Sequence, residues 1–161
     1  MRRICVIVFA ATATMAAWAF AEDKPKADDP NAAERIAQAD DIREAVFRYQ
    51  IRPYLGQITI FLEIEGKDPS PEFMKRFEGH TPPVKPVSAC EGRKGPGVKD
   101  KETGKEGIIF SADAIRWKSD SEVAVDGGHY RDGLAATGNV YTVTRKDGKW
   151  TVTADRMLWI S

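Results

Sequence analysis

The sequence predicts an α+β domain, with a long N-terminal helix and a short second helix packed on a strongly bent antiparallel sheet that ends in a four-strand meander. Three observations predict it. Apolar residues recur at helical spacing over about 20 residues after Pro30. A shorter helical pattern follows Ser70-Pro71. Beyond residue 107, four long stretches alternate with period two, and turn residues separate each from the next.

Residues 1–21 read as a cleavable signal peptide. Arg2 and Arg3 supply the positive start, Ile4 to Phe20 is uncharged and mostly apolar, and Ala19-Phe20-Ala21 puts small residues at the positions that signal peptidase reads, with the cut after Ala21. An apolar run of about 17 residues is at the lower limit for crossing a bilayer. The segment is therefore expected to be removed, leaving no stable membrane insertion and an exported protein, periplasmic or secreted. Cys5 opens the apolar run instead of closing it, which argues against a lipoprotein. Residues 22–30 are charged and hold two prolines, as a disordered leader does. Residues 31–161 then form a single α+β domain.

Cleavage leaves 140 residues, Glu22–Ser161. A chain of that size buries about two-thirds of its unfolded surface and folds without a disulfide or a metal. Arg2 and Arg3 leave with the signal, so 22 basic residues stand against 24 acidic ones. That balance argues against a nucleic-acid binder, which would show a basic stripe, and gives no reason to expect strong attraction to an anionic membrane. Cys90 is the one cysteine left, so no intramolecular disulfide forms, and it reads as a small buried apolar residue on a strand.

Asp29-Pro30 reads as an N-cap followed by proline at the first helical position. Ala33, Ile36, Ala39, Val46 and Tyr49 form the apolar stripe, Ile42 flanks it, and Pro53 stops the helix. Gln57–Ile64 alternates as a strand. Ser70 caps the second helix, whose apolar side is Phe73, Met74 and Phe77. Val84–Glu91 reads as a strand and residues 91–107 as a solvated loop. The meander is Ile108–Lys118, Glu122–Arg131, Leu134–Arg145 and Lys149–Ile160, turning at Ser119-Asp120, Asp132-Gly133 and Lys146–Gly148. Gly127, Gly128 and Gly138 lie mid-strand, where glycine marks a bulge, a bend or close backbone approach.

Propagating register from those turns puts Phe110, Ala112, Ala114, Val123, Val125, Gly127, His129, Ala136, Gly138, Val140, Trp150, Val152 and Ala154 on one face. The other face carries Asp113, Ile115, Asp126, Asn139, Val143 and Asp155, together with Trp117, Tyr130, Tyr141 and Trp159. Those four aromatic residues are more than a solvent-facing sheet normally shows, so they are expected to form a homodimer interface on the outer sheet face.

No His-Glu-x-x-His, Cys-x-x-Cys or alternating-aspartate loop is present, so no metal is expected. No Gly-Lys pair is followed by Ser or Thr, no Gly-x-Ser-x-Gly occurs, and no cofactor is expected.

The order helix, strand, helix, strand and four-strand meander resembles the nuclear transport factor 2-like superfamily, including its polyketide-cyclase-like (SnoaL-like) members. The closing run Tyr141-Thr-Val-Thr-Arg-Lys-Asp-Gly-Lys-Trp150-Thr-Val looks like that superfamily's last hairpin. A cystatin-like domain, one helix on a bent sheet, is the nearest competitor. The resemblance implies a conical pocket between the helices and the concave sheet face. Polar residues expected to reach it are Tyr49, Arg116, His129, Thr142 and Arg156.

His129 is the candidate acid or base, because imidazole titrates near neutral pH, but the register places Asp113 and Asp126 on the opposite face and supplies no acidic partner. The sequence therefore points to a non-catalytic ligand-binding or protein-interaction domain of the cell envelope, taking a small apolar ligand. The alternative is a small-molecule isomerase, cyclase or hydrolase of SnoaL-like type that uses His129.

Overall fold

The computed structural model describes residues 30–161 apart from residues 55, 57 and 94–96. The signal segment, its cleavage at Ala21, the leader and the Asp29 cap lie outside the described residues.

Helix α1 runs Ala32–Ile51 with Asn31 at its N-cap, and it buries Ile42, Val46, Phe47, Gln50 and Ile51 against the sheet. The expected stripe is thus rotated. Ile36 is 66% and Tyr49 40% exposed, while Phe47 is fully buried. Turning Phe47 and Ile51 inward removes more apolar surface from water than Ala39 and Tyr49 would. Helix α2, Pro71–Lys75, starts as the sequence predicts: Ser70 Oγ accepts from Phe73 N at 3.1 Å, and proline sits in the first turn. Its Phe73, with Phe77 just beyond it, packs edge-on against Phe47 at ring separations of 5.9 and 6.4 Å.

The main sheet has six strands: β1 (Thr59–Glu63), β2 (Val84–Pro86), β5 (Gly107–Ser119), β6 (Glu122–Asp132), β7 (Ala135–Lys146) and β8 (Lys149–Ile160), in the order β2-β1-β5-β6-β7-β8. It is mixed, not wholly antiparallel. The meander β5–β8 is antiparallel, but β1 runs parallel to both β2 and β5. Long crossings join β1 to each neighbour, and only crossings of that kind allow parallel pairing.

The stretch 84–107 also differs from expectation. A 3-10 turn at Val87–Ala89 interrupts the strand, and β3 (Cys90–Glu91) pairs with β4 (Lys99–Asp100) as a small second sheet inside the expected loop. This hairpin covers the far side of β1 and β5, where Phe61 and Ile109 join Val87, Cys90 and Val98 in a second apolar cluster. Cys90 is buried there, and burial pushes its thiol pKa up.

Register decides which side chains meet the helices. Phe110 pairs with His129 and Ala112 with Gly127, as the turns imply. A bulge at residues 113–114 then brings Ile115 and Trp117 to the helix side, opposite Val125 and Val123. The β6–β7 turn is centred one residue later than expected: Asp132 pairs with Ala135, and Asp132 Oδ1 accepts from Leu134 N at 2.9 Å. A bulge at Arg131, between the Asp132–Ala135 and Tyr130–Ala136 pairs, combines with the moved turn into a net shift of one residue, which turns Tyr141 and Val143 inward and Ala136, Gly138 and Val140 outward. The last hairpin closes through Asp147 and Gly148 alone, both at positive φ, as a two-residue turn requires. That turn sets Trp150 and Val152 on the helix side, and a bulge at Thr153 then places Asp155 opposite Tyr141.

Candidate functional site

The C-terminal end of α1 stops short of fully covering the sheet, and a cavity of about 350 Å³ remains between it and strands β5–β8. Pro53 ends the helix there, so Tyr54 leaves the helix axis and contributes a ring to the wall. Tyr54 stacks edge-on with Phe110 at 5.3 Å and with His129 at 6.2 Å. On the other side, Tyr49 and Tyr141 meet edge-on at 6.0 Å. The lining is therefore largely aromatic, with Met157 at its edge.

Four polar features are built into this wall. Gln50, 7% exposed, places Nε2 3.0 Å from Ser111 O, 3.3 Å from Gly128 O and 3.0 Å from Tyr141 Oη, tying α1 to three strands. Its Oε1 is buried with no hydrogen-bond partner among the described residues. His129 Nδ1 lies 3.0 Å from Thr137 Oγ1 on the facing strand. Asp155 accepts from Tyr49 Oη at 2.8 Å and from Asn139 Nδ2 at 3.3 Å.

Electrostatics follow from depth. Burial holds the His129 imidazole below its ordinary value, because the charged form loses hydration. Burial likewise raises Tyr141, whereas Tyr49 is raised first by its hydrogen bond to Asp155. His129 is thus a neutral imidazole at pH 7. The hydroxyl on Nδ1 either donates or accepts, and Nε2 takes the complementary role.

Of the five polar residues expected in a pocket, Tyr49 and His129 line this one. Arg116 lies on the opposite face and forms an ion pair with Asp126. Thr142 and Arg156 pair with Ala154 and Val140 in the outward-facing register, away from the cavity. Nor do the four aromatic residues expected on an outer interface share a face. Trp117 and Tyr141 belong to the helix-side core, Tyr130 packs on the second cluster, and Trp159 is exposed on the outside.

Gln50, Tyr54, Thr137, Asn139 and Asp155 were not legible as site residues. Gln50 carries a signal in hindsight: it stands four residues after Val46 and three after Phe47, a polar side chain on the buried helix face. Thr137 and Asn139 depend on the β7 register, Asp155 on a bulge in β8, and Tyr54 on the end of α1.

A larger concavity, about 840 Å³, forms a trough between α2 and β2 walled by Pro69, Pro71, Met74, Phe77 and Pro83. Its Asp68 is committed to Ser88 N, its Lys85 to Asp100 and Glu102, and His80 Nδ1 to Pro82 O. Polar groups converge instead on the smaller cavity, which we take as the candidate site. Among the described residues no three His, Cys, Asp or Glu side chains are grouped to hold a metal ion. No protein-family model matches the chain, and no curated protein or solved structure matches it either.

Proposed function

We propose that the chain is an exported ligand-binding domain of the cell envelope, holding a small, largely apolar ring compound in the cavity at the end of α1. Export rests on the charged start, apolar run and Ala-x-Ala ending of residues 1–21. The observation that carries the binding function is Gln50. Buried carbonyls are nearly always hydrogen-bonded, yet Gln50 Oε1 has no partner among the described residues, and Gln50 lines a cavity walled by Tyr54, Phe110, His129 and Tyr141. A ligand carrying one hydrogen-bond donor on an aromatic or alicyclic body suits that wall. The helices-on-sheet order and the closing hairpin support the nuclear transport factor 2-like cone as the arrangement that creates the cavity.

An acid–base role for His129 is the second reading, favoured by its neutral imidazole and its place in the wall. Its Nδ1 partner is the Thr137 hydroxyl, however, and not the carboxylate that would stabilise an imidazolium. Binding without chemistry is therefore preferred.

The test is NMR screening of the purified protein with small ring compounds, neutral, anionic and cationic. Hits should perturb the side-chain resonances of Tyr54, His129 and Thr137, and His129→Trp, which fills the cavity, should weaken them about tenfold or more. Hits that map only to the α2–β2 trough, or no hits at all, would sink the proposal. His129→Ala guards against a misfolded Trp variant, since it should alter the affinity of the same compounds without moving their site.

A further inference from the structure

Five large apolar side chains stand in water at one end of the meander. Leu134, in the β6–β7 turn, is 88% exposed, and Met157, Leu158, Trp159 and Ile160 on β8 are 53, 50, 54 and 69% exposed. Backbone pairing gathers them: Ile160 lies beside Thr137, and Ser161 N donates to Ala136 O, next to the turn that carries Leu134. Ile36 and Tyr49 are the only other large apolar residues so exposed among the described residues, and both are on α1. Met157 and Ile160 lie on the cavity side of the sheet and Trp159 on the outer side over Gly138, so the apolar side chains flank the β8 edge on both faces. Large apolar side chains gathered at one edge in this way mark a surface that something covers.

The strand itself disfavours a second copy of β8 as the cover. Leu158 is the extra residue of a bulge between the Asn139–Met157 and Gly138–Trp159 pairs, which breaks the edge in the middle of the patch. A two-fold antiparallel pairing centred on the regular stretch before it would set Asp155 against its own copy, or Arg156 against its own copy. A lipid surface demands neither register nor a directional partner. Two cations are available to it. Arg52, at the end of α1, and Arg156, on β8, have no ion pair among the described residues. The nearby carboxylates are already engaged, Asp155 by Tyr49 and Asn139 and Asp132 by Leu134 N. Tryptophan with leucine and isoleucine beside arginine is the side-chain set that settles at the boundary between headgroups and acyl chains.

We infer that this end of the meander docks onto a bilayer surface, with Leu134, Leu158, Trp159 and Ile160 entering the interface and Arg52 and Arg156 meeting anionic headgroups. The contact is peripheral. The edge of β8 keeps unpaired N–H and C=O groups, so the strand stays at headgroup depth, where water and phosphate satisfy them. The overall near-neutral charge means that the apolar side chains supply most of the binding and the two arginines a salt-sensitive part. Met157 belongs both to the patch and to the cavity lining, so docking also brings the cavity mouth to the lipid. Docking does not depend on a ligand.

The experiment is co-sedimentation of the purified protein with vesicles of phosphatidylcholine containing a minor share of phosphatidylglycerol. The N-terminus is read by mass spectrometry, and Leu158→Ser/Ile160→Ser is prepared identically, so any retained apolar leader contributes equally to both. Wild type should bind, and the double variant, with unchanged circular dichroism and melting, should bind about tenfold more weakly. Arg52→Gln/Arg156→Gln should lose the salt-sensitive part of binding only. Trp159 gives an internal readout, since Trp117 and Trp150 pack on each other at 5.7 Å on the helix side. Vesicles should shield Trp159 from iodide quenching, with Trp159→Phe as the blank. Equal binding by wild type and the serine variant would overturn the inference. So would a dimer, seen by light scattering, that shields Trp159 without lipid and dissociates in the serine variant.

Discussion

Tyr49 Oη donates to Asp155 Oδ1 at 2.8 Å, joining the exposed side of α1 to the edge strand across 106 positions of sequence. The bond sets the phenol's acidity, because a carboxylate that accepts from the hydroxyl stabilises its protonated form. Asp155→Asn should therefore bring the Tyr49 phenol down toward its ordinary value, visible as an earlier step in a spectrophotometric tyrosine titration. Tyr49→Phe, which leaves only an exposed hydrogen bond unmade, should cost no more than about 1 kcal/mol. An unchanged titration in Asp155→Asn would mean that the pair does not persist in solution.

The β7 register can be tested with one charge placed at two positions. Val143 is fully buried on the helix side, and Val140 is partly exposed on the outer side. Val143→Asp should cost several kcal/mol, enough to threaten folding, whereas Val140→Asp should cost about 1 kcal/mol or less. Urea unfolding of the two proteins decides the matter, and equal losses would contradict the pairing of Val123 with Val143.

The same two valines show where sequence stops informing. Period-two alternation located all four meander strands to within a residue or two, and the glycines at 127, 128 and 138 marked close approaches that exist. Alternation carries no information about phase once a bulge or turn intervenes, however. The Asp132 side chain draws the β6–β7 turn onto Gly133-Leu134 by accepting from Leu134 N, and a bulge at Arg131 then leaves a net shift of one residue that reverses all of β7. Tyr141 and Asn139 thereby moved from the outer face into the cavity wall. Parallel pairing of β1 was equally invisible, because strand direction is set by crossings and not by the strand's own residues.

Burial of His129 ties stability to mild acid. Its folded-state value is depressed, so below about pH 6.5 the unfolded chain binds the proton that the folded chain declines. Stability should thus fall as pH drops from 7 toward 5. His129→Gln should flatten that part of the profile while keeping a partner for Thr137. Urea midpoints measured across the window would show it, and identical slopes in both proteins would remove His129 as the cause.

Asp113 acts in the opposite sense. Burial raises its carboxyl, partly offset by hydrogen bonds from Glu65 N and the Ser111 hydroxyl. The folded state therefore holds its proton to higher pH than the unfolded state, and stability is lost as pH rises through that interval. Asp113→Asn keeps an oxygen for Glu65 N at 2.9 Å and removes the buried charge. The variant should melt above wild type at pH 7, with the gap closing near pH 3, where both side chains are neutral. A gap that persists at pH 3 would point to packing as its origin.

Two glycines on facing strands should respond differently to the same methyl group. A Cβ on Gly128 would lie 2.0 Å from Thr137 O, a backbone atom held in the β6–β7 ladder, so Gly128→Ala has to pry the strands apart. On Gly138 the Cβ would lie 2.1 Å from Trp159 Nε1, the far end of a side chain that is half exposed already. Gly128→Ala should therefore cost several kcal/mol, and Gly138→Ala about 1 kcal/mol or less. In Gly138→Ala the relief comes from the indole swinging outward, which raises its accessibility to acrylamide while leaving the buried Trp150 unaffected. If the melting temperature falls sharply in Gly138→Ala with no change in quenching, the indole is fixed and the strand has yielded in its place.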